Sequence, residues 1–200
     1  MIRILLADDQ ALVRGALAAL LDLEKDLEVV AQVGSGADVL AAVREHAPDV
    51  ALLDIEMPGL GGIEATRGVV AETATRVLVV TTFGRPGYLR RALQAGASGF
   101  VVKDVPATQL ADAVRRVHAG LRVVDPTLAA DSLVSGDSPF TERETEVLRE
   151  ARDGASVAAV AGRLHLSQGT VRNHLSAAIG KTGAANRAEA VREAERQGWL

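Results

Sequence analysis

Residues 50–59 read VALLDIEMPG. Four apolar residues, Val50 to Leu53, run directly into a carboxylate, Asp54, and a loop with Pro58 and Gly59 follows two residues after Glu56. A short continuous apolar run bounded by turn residues is the pattern of a strand buried on both faces. Burying an unpaired carboxylate is costly. Either the strand ends in water at Asp54, or the charge is placed there for chemistry.

The rest of the first 120 residues repeats this pattern. IRILLA (2–7), LEVVAQV (27–33), DVALLD (49–54), RVLVVTT (76–82) and GFVVK (99–103) read as strands, several of them nearly continuous Val/Leu/Ile runs. Helical segments separate them. The clearest is Ala107–His118, where Leu110, Ala113, Val114 and Val117 follow the i, i+3, i+4, i+7 spacing, with Pro106 at its start and Gly120 at its stop. Pro86 likewise opens a helix carrying Leu89 and Leu93. Five such units predict an α/β fold: a doubly wound, five-stranded parallel sheet with right-handed crossovers.

The pattern then changes. No strand-like run is read after residues 123–139, VVDPTLAADSLVSGDSP, in which Asp125-Pro126 suits the start of a short helix to Val134 and SGDSP (135–139) a linker. From Thr141 on, four helices are expected, at about 141–152, 156–164, 167–181 and 186–197. Thr141 and Glu144 form a capping box, and Ser156 and Ser167 suit the next two N-caps. The expected domains are therefore 1–120, a linker with a short helix over 121–139, and an all-α domain over 140–200.

Composition bounds the function. With 48% hydrophobic residues and only 2% aromatic ones, the 200-residue chain must build an aliphatic core. The absence of cysteine excludes disulfides, thiolate metal sites and a cysteine nucleophile. No stretch reads as a signal peptide or a spanning helix, so a soluble, cytoplasmic protein without membrane insertion is expected. The net charge of −4 does not suggest a nucleic-acid binder. Its distribution matters more: Gly154 to Ala188 holds Arg163, Arg172, Lys181 and Arg187 and no acid, and a local basic surface can exist inside an acidic protein.

In a doubly wound sheet, ligands sit at the carboxyl ends of the strands, near the point where strand order reverses. Asp8 and Asp9 follow the first strand, Asp54 ends the third, Thr81 and Thr82 the fourth, and Lys103 the fifth. Three carboxylates converging on one ammonium repel one another, and a hard cation such as Mg²⁺ resolves the conflict with oxygen ligands. Taken singly, Asp8 or Asp9 could cap the next helix and Lys103 could be a solvated strand end. At four strand ends together, a site is the better reading.

In the all-α segment, residues 156–164 and 167–181 suit a helix-turn-helix. Val171, Leu175 and Ile179 are the expected buried stripe of the second helix, which puts Arg172, Asn173 and Ser176 on another face. Arg suits guanine and Asn adenine in the major groove, while Thr170 and Lys181 suit phosphates. A solvated polar face is the competing interpretation.

The motifs LLADDQ (5–10), LLDIEMPGLGGIE (52–64), VVTTFGRPGYLRRALQAGASGFVVKD (79–104) and FTERETEVL with LSQGTVRNHL (140–175) resemble, over essentially the whole chain, a two-component response regulator of the NarL/FixJ type. TTFGRPGY and the terminal QGWL are similar to its DesR-type subgroup. The resemblance implies a flavodoxin-like receiver domain followed by a LuxR-type helix-turn-helix domain. It implies that Asp54 accepts a phosphoryl group from a sensor histidine kinase. Asp9 would bind Mg²⁺ directly and Asp8 through water, with Asp54 and the Glu56 backbone carbonyl completing the protein ligands. Lys103 would pair with the phosphoryl oxygens, Thr81 would swing to hydrogen-bond them, and Phe100 would move with it as the switch aromatic. A homodimer on double-stranded promoter DNA is implied, with no enzymatic activity beyond the receiver's own phosphorylation and dephosphorylation. The chain departs from the family at Ala159, where an acid is usual, and at Thr182 in KTG, where Leu is usual; Ser176 replaces a position that is basic in some members. Two rivals remain: a phosphatase, because DIE faintly resembles the Asp-x-Asp signature of haloacid-dehalogenase-type enzymes, and a receiver used only for protein docking.

Overall fold

The computed structural model describes residues 1–82, 84–134 and 138–200. The chain divides into two compact units, Met1–Gly84 with Leu89–Asp131, and Ser132–Leu200 with Arg85–Tyr88. Most of the SGDSP linker candidate, residues 135–137, lies outside the described residues, as does Phe83 of TTFGRPGY.

Among the described residues, the first unit is built on six parallel strands: β1 (Ile2–Ala7), β2 (Leu27–Val33), β3 (Val50–Leu53), β4 (Arg76–Thr81), β5 (Gly99–Val102) and β6 (Val123–Val124), in the order β2-β1-β3-β4-β5-β6. The sheet is thus parallel and flanked by helices, as expected, but it has one strand more than the five read from sequence. β6 is only two residues long, and Val123 N–H donates to the Ser98 carbonyl beside β5 at 3.1 Å. Two residues carry no periodicity, so the strand is defined by its neighbour and not by its own sequence. Three expected strands also end one residue early, at Leu53, Thr81 and Val102, which places Asp54, Thr82 and Lys103 just beyond the sheet.

The helices of this unit are α1 (Ala11–Asp22), α2 (Gly36–His46), α3 (Gly62–Glu72), α4 (Pro86–Gln94) from Leu89 on, and α5 (Ala107–His118). Successive strand residues face opposite sides. Ile4, Leu6, Leu52, Leu78 and Val80 pack with Leu21 of α1 and with Leu110, Val114 and Val117 of α5. Leu5, Leu53 and Val79 point the other way and are equally buried. This two-sided burial is why the strands read as unbroken aliphatic runs. A short helix, α6 (Pro126–Val134), follows β6, with the Leu128 amide bonded to Asp125 Oδ1 at 3.1 Å.

The second unit holds α7 (Glu142–Glu150), α8 (Val157–Arg163), α9 (Gln168–Thr182) and α10 (Arg187–Arg196). Each has a side-chain N-cap: Thr141, Ser156, Ser167 and Asn186 accept from the amides of Glu144, Ala159, Thr170 and Glu189. Each such cap contributes about 1 kcal/mol, which matters for helices this short. The core joins Val147, Leu148, Val160, Val171, Leu175, Ala178 and Val191, with Phe140 and Trp199 packed against it. The buried stripe of α9 is Val171, Leu175 and Ala178, while Ile179 is only half-buried. The i+7 position falls nearer the core than i+8 here, and alanine is easily overlooked as a core residue. No described helix is long and apolar enough to cross a membrane.

Candidate functional site

β1 and β3 are neighbours in register, with Ala7 opposite Leu53. The residues that follow them, Asp8 and Asp54, therefore leave the sheet side by side. The Asp54 amide donates to the Ala7 carbonyl at 2.9 Å and the Asp8 amide to the Val33 carbonyl at 3.2 Å. Both carboxylates are buried, at 3% and 5% exposure. Asp9 is exposed beside them, and one oxygen from each of the three acids lies within 4.8 Å of the others. Lys103 follows β5, two strands from β3, and its backbone amide is fixed to the Thr81 carbonyl at 2.7 Å. Strands are spaced about 4.8 Å apart, so the side chain crosses roughly 10 Å of sheet edge. Its Nζ reaches 2.7 Å from Asp8 Oδ2 and 2.9 Å from Asp54 Oδ2.

The remaining oxygens are held by backbone. Asp54 Oδ1 accepts from the Ile55 amide at 2.8 Å, and Asp8 Oδ1 from the Gln10 amide at 2.9 Å. Asp8 is thus tied into the turn before α1, whose N-cap, Gln10, makes no side-chain cap bond. Asp8 Oδ2 and Lys103 Nζ are close in charge but poorly aligned, and neither makes a well-formed hydrogen bond among the described residues. Burial, reinforced by Asp8 but opposed by Lys103, raises the Asp54 carboxyl above the usual carboxylate range. Burial also works against the charge on Lys103, but Asp8 and Asp54 together hold it above the ordinary lysine value.

Three carboxylates against one ammonium leave two negative charges uncompensated. Oxygen ligands of an octahedral Mg²⁺ stand at about 2.0–2.1 Å from the ion, so they lie roughly 3–4 Å from one another. A cluster of hard donors gathered within 4.8 Å, with one oxygen buried without a good hydrogen bond, suits such a cation after a small closure. Glu56, in the loop after Asp54, has an exposed side chain. Thr81 closes β4 between the Asp54 and Lys103 strands and is fully buried, whereas Thr82 is exposed. Phe100 is fully buried on β5, paired with Val79.

Two features of the loop shape the site. Gly59 has a φ of 74°, the left-handed region that favours glycine. Gly62, the first residue of α3, lies against Asp54, and a Cβ there would stand 1.8 Å from the Asp54 carbonyl oxygen. One residue escaped the sequence reading. Arg14 of α1 donates from Nη1 to the Asp8 carbonyl, pinning the turn that carries both leading acids. An i+6 spacing from a loop residue to a helix residue gives no periodic signal.

In the second unit, Arg172, Asn173 and Ser176 are exposed on α9, and Arg172 Nη2 leans on Gln168 Oε1 at 3.3 Å. Gln168 is neutral, so the guanidinium charge stays available to a partner. Thr170 sits at the N-terminus, its hydroxyl 2.8 Å from Ser167 Oγ. Lys181 lies apart from them, its Nζ 2.6 Å from Oε2 of Glu144. Arg163 pairs with Glu150, and Arg187 donates to the carbonyls of Gly154 and Ala155. Thr182, the departure from the usual Leu, satisfies its hydroxyl on the Ala178 carbonyl at 2.9 Å.

A parallel sheet ending in an acidic cluster with a lysine, joined to a capped helix-turn-helix unit, defines a two-part signalling protein. Residues 4–115 match the response regulator receiver domain model, and residues 138–194 the model of bacterial regulatory proteins of the luxR family. The transcriptional regulatory protein DesR of Bacillus subtilis is 42% identical over 200 residues, covering all of both chains. The response regulator RamR of Streptomyces coelicolor is 39% identical over 207 residues, covering 100% of this chain and 98% of its own. The crystal structure of the response regulator ChrA, from a heme-sensing two-component system, superposes with a TM-score of 0.59 at 33% identity, covering 100% of this chain and 98% of that one. The chain belongs to the two-component response regulators of the NarL/FixJ type, with a receiver domain and a LuxR-type DNA-binding domain.

Proposed function

We propose that the chain is a phosphorylation-activated transcription regulator with a receiver over 1–120, a linker over 121–139 and a DNA-binding domain over 140–200. The observation that carries this reading is Lys103 Nζ held between Asp8 and Asp54 at 2.7 and 2.9 Å. Asp54 is the phosphoacceptor. Its carboxylate oxygen bonds to phosphorus as the bond from phosphorus to a kinase histidine nitrogen breaks, and the imidazole keeps that electron pair. Such transfers need placement and neutralised oxygens more than covalent help. Asp8, Asp9, Asp54 and the Glu56 carbonyl would hold Mg²⁺, which supplies charge neutralisation for the phosphoryl oxygens.

Lys103 then exchanges part of its pairing for the phosphoryl group, and Thr81 hydrogen-bonds it. Phe100 and Thr81 belong to the paired strands β4 and β5, so a shift at one bears on the other. The outward side of α1 carries exposed Leu12 and Leu20, with Leu23 just beyond, and suits the surface for a kinase or a second copy. Phosphorylation favours the dimer, because one small helix-turn-helix needs two half-sites for useful affinity. Arg172, Asn173 and Ser176 read bases of double-stranded promoter DNA, and Thr170 meets the backbone. The protein works in the cytoplasm.

Incubation with a small acyl phosphate and Mg²⁺ should add one phosphoryl group by intact mass, and Asp54→Asn should add none. Equal labelling of that variant would overturn the assignment. Sedimentation with a beryllofluoride mimic should shift monomer toward dimer, and an unchanged mass at every concentration would refute the dimer step.

A further inference from the structure

We propose that Glu144 and Lys181 form a clamp that positions the recognition helix α9, and that Lys181 serves DNA binding through this clamp and not as a phosphate contact. The proposal rests on the DNA-binding reading above. Glu144 is the third residue of α7 and is buried. Its Oε2 accepts from the Thr141 backbone amide at 2.7 Å and lies 2.6 Å from Lys181 Nζ, while its own amide donates to Thr141 Oγ1 at 3.3 Å. One carboxylate oxygen is therefore shared between the capping box that starts α7 and the last turn of α9. Carboxylate at a helix start and ammonium at a helix end both suit the helix dipoles. Burial opposes the charge on Glu144, but Lys181 and the Thr141 amide outweigh it and hold the carboxyl below its usual range.

Helix geometry separates Lys181 from Arg172 but sets it on the side of Thr170, so its pairing with Glu144, and not its face, decides its role. Nine residues divide it from Arg172, about two and a half turns at 3.6 residues per turn, so the two lie on opposite sides of α9. Lys181 is still about a third exposed, at 35%. Moving its ammonium to a phosphate would strand a buried carboxylate, and that penalty exceeds what an exposed lysine contact returns. Past Lys181 the helix closes on itself: Thr182 bonds back to Ala178 and Ile179, and the Gly183 amide to the Ile179 carbonyl. Glu144 thus ties the end of α9 to a different helix, and losing it frees the tilt that aims Arg172 and Asn173.

The test uses the full-length protein, phosphorylated by a small acyl phosphate with Mg²⁺. Wild type first selects a duplex from random-sequence DNA. Affinity for that duplex and for a scrambled one is then measured against salt for wild type, Lys181→Ala, Glu144→Gln and the double variant. Trp199 emission checks that each is folded. Each single variant should lose about tenfold on the selected duplex and little on the scrambled one, the double should lose no more than either single, and the slope of log K against log salt should stay at the wild-type value. Lys181→Gln carries the same expectation should the alanine variant not fold. A slope reduced by about 0.9, the value for one phosphate, with Glu144→Gln binding like wild type, would overturn the proposal. Failure of wild type to select any duplex would instead overturn the DNA-binding reading on which it rests.

Discussion

Each domain of this regulator contains a buried carboxylate paired with a lysine, and the two pairs are built to opposite ends. In the receiver, two buried carboxylates share one ammonium, the alignment is poor, and the Asp54 carboxyl is pushed up. In the DNA-binding domain, one carboxylate meets one ammonium and one backbone amide, and the Glu144 carboxyl is pulled down. An over-subscribed lysine leaves charge for an incoming cation or phosphoryl group to settle. A lysine whose partner is otherwise satisfied leaves nothing to settle and acts as a tie. Perturbation alone does not mark a site; the direction of the shift and the unmet hydrogen bonds separate chemistry from structure.

The largest test of this contrast is Lys103→Met. It strands two buried carboxylates, and breaking a buried pair costs about 3–5 kcal/mol. Urea denaturation should show that loss without Mg²⁺ and a partial recovery with it; equal stability with and without the ion would remove the case for a cation at the cluster. Arg172→Ala comes next. Among the described residues Arg172 pairs with the neutral Gln168, so its loss should leave stability unchanged and cost about 1–3 kcal/mol of discrimination at one base pair. Equal weakening on selected and scrambled DNA would move it to the backbone.

A smaller effect concerns Glu144 and acid. Its folded-state pKa lies below the unfolded value, so its contribution is fully present above about pH 4.5 and fades as pH falls through the folded value. Glu144→Gln should cost about 1 kcal/mol at pH 7 and lose less stability than wild type on further acidification. Parallel acid limbs would break the assignment of Glu144 as a charged tie. The smallest change expected is at His165, which holds a φ of 53° in the turn between α8 and α9. His165→Gly relieves that strain but loosens the unfolded chain, for a net gain of about 0.5 kcal/mol by urea denaturation. Because it touches neither pair, it gives the baseline for both.

How far the sequence reveals these features depends on their range. The strands and capped helices are local patterns, and VALLD and the Thr141–Glu144 box can be read directly. The acidic cluster is legible because a parallel sheet brings strand ends together, so the sequence alone gathers Asp8, Asp54 and Lys103. β6 is too short to show a period. Ala178 is too small to mark a core. The join of Glu144 to Lys181 spans 37 residues between two helices and depends on their packing angle, which no motif encodes. Arg14 is invisible for the same reason: its partner is a backbone carbonyl, and any residue supplies one.

The close approach of α3 to the backbone of Asp54 has a consequence for genetics. A glycine offers no functional group for selection to see, yet every other residue at position 62 would drive a carbon into the Asp54 carbonyl. In a saturation screen for loss of signalling, Gly62 should therefore cluster with Asp54 itself, while the exposed Glu56 side chain, nearer in sequence, tolerates change. The alleles would differ in kind: those at 54 remove the carboxylate, and those at 62 displace it, so second-site suppressors should be recoverable for position 62 and, if Asp54 is the phosphoacceptor proposed above, not for position 54.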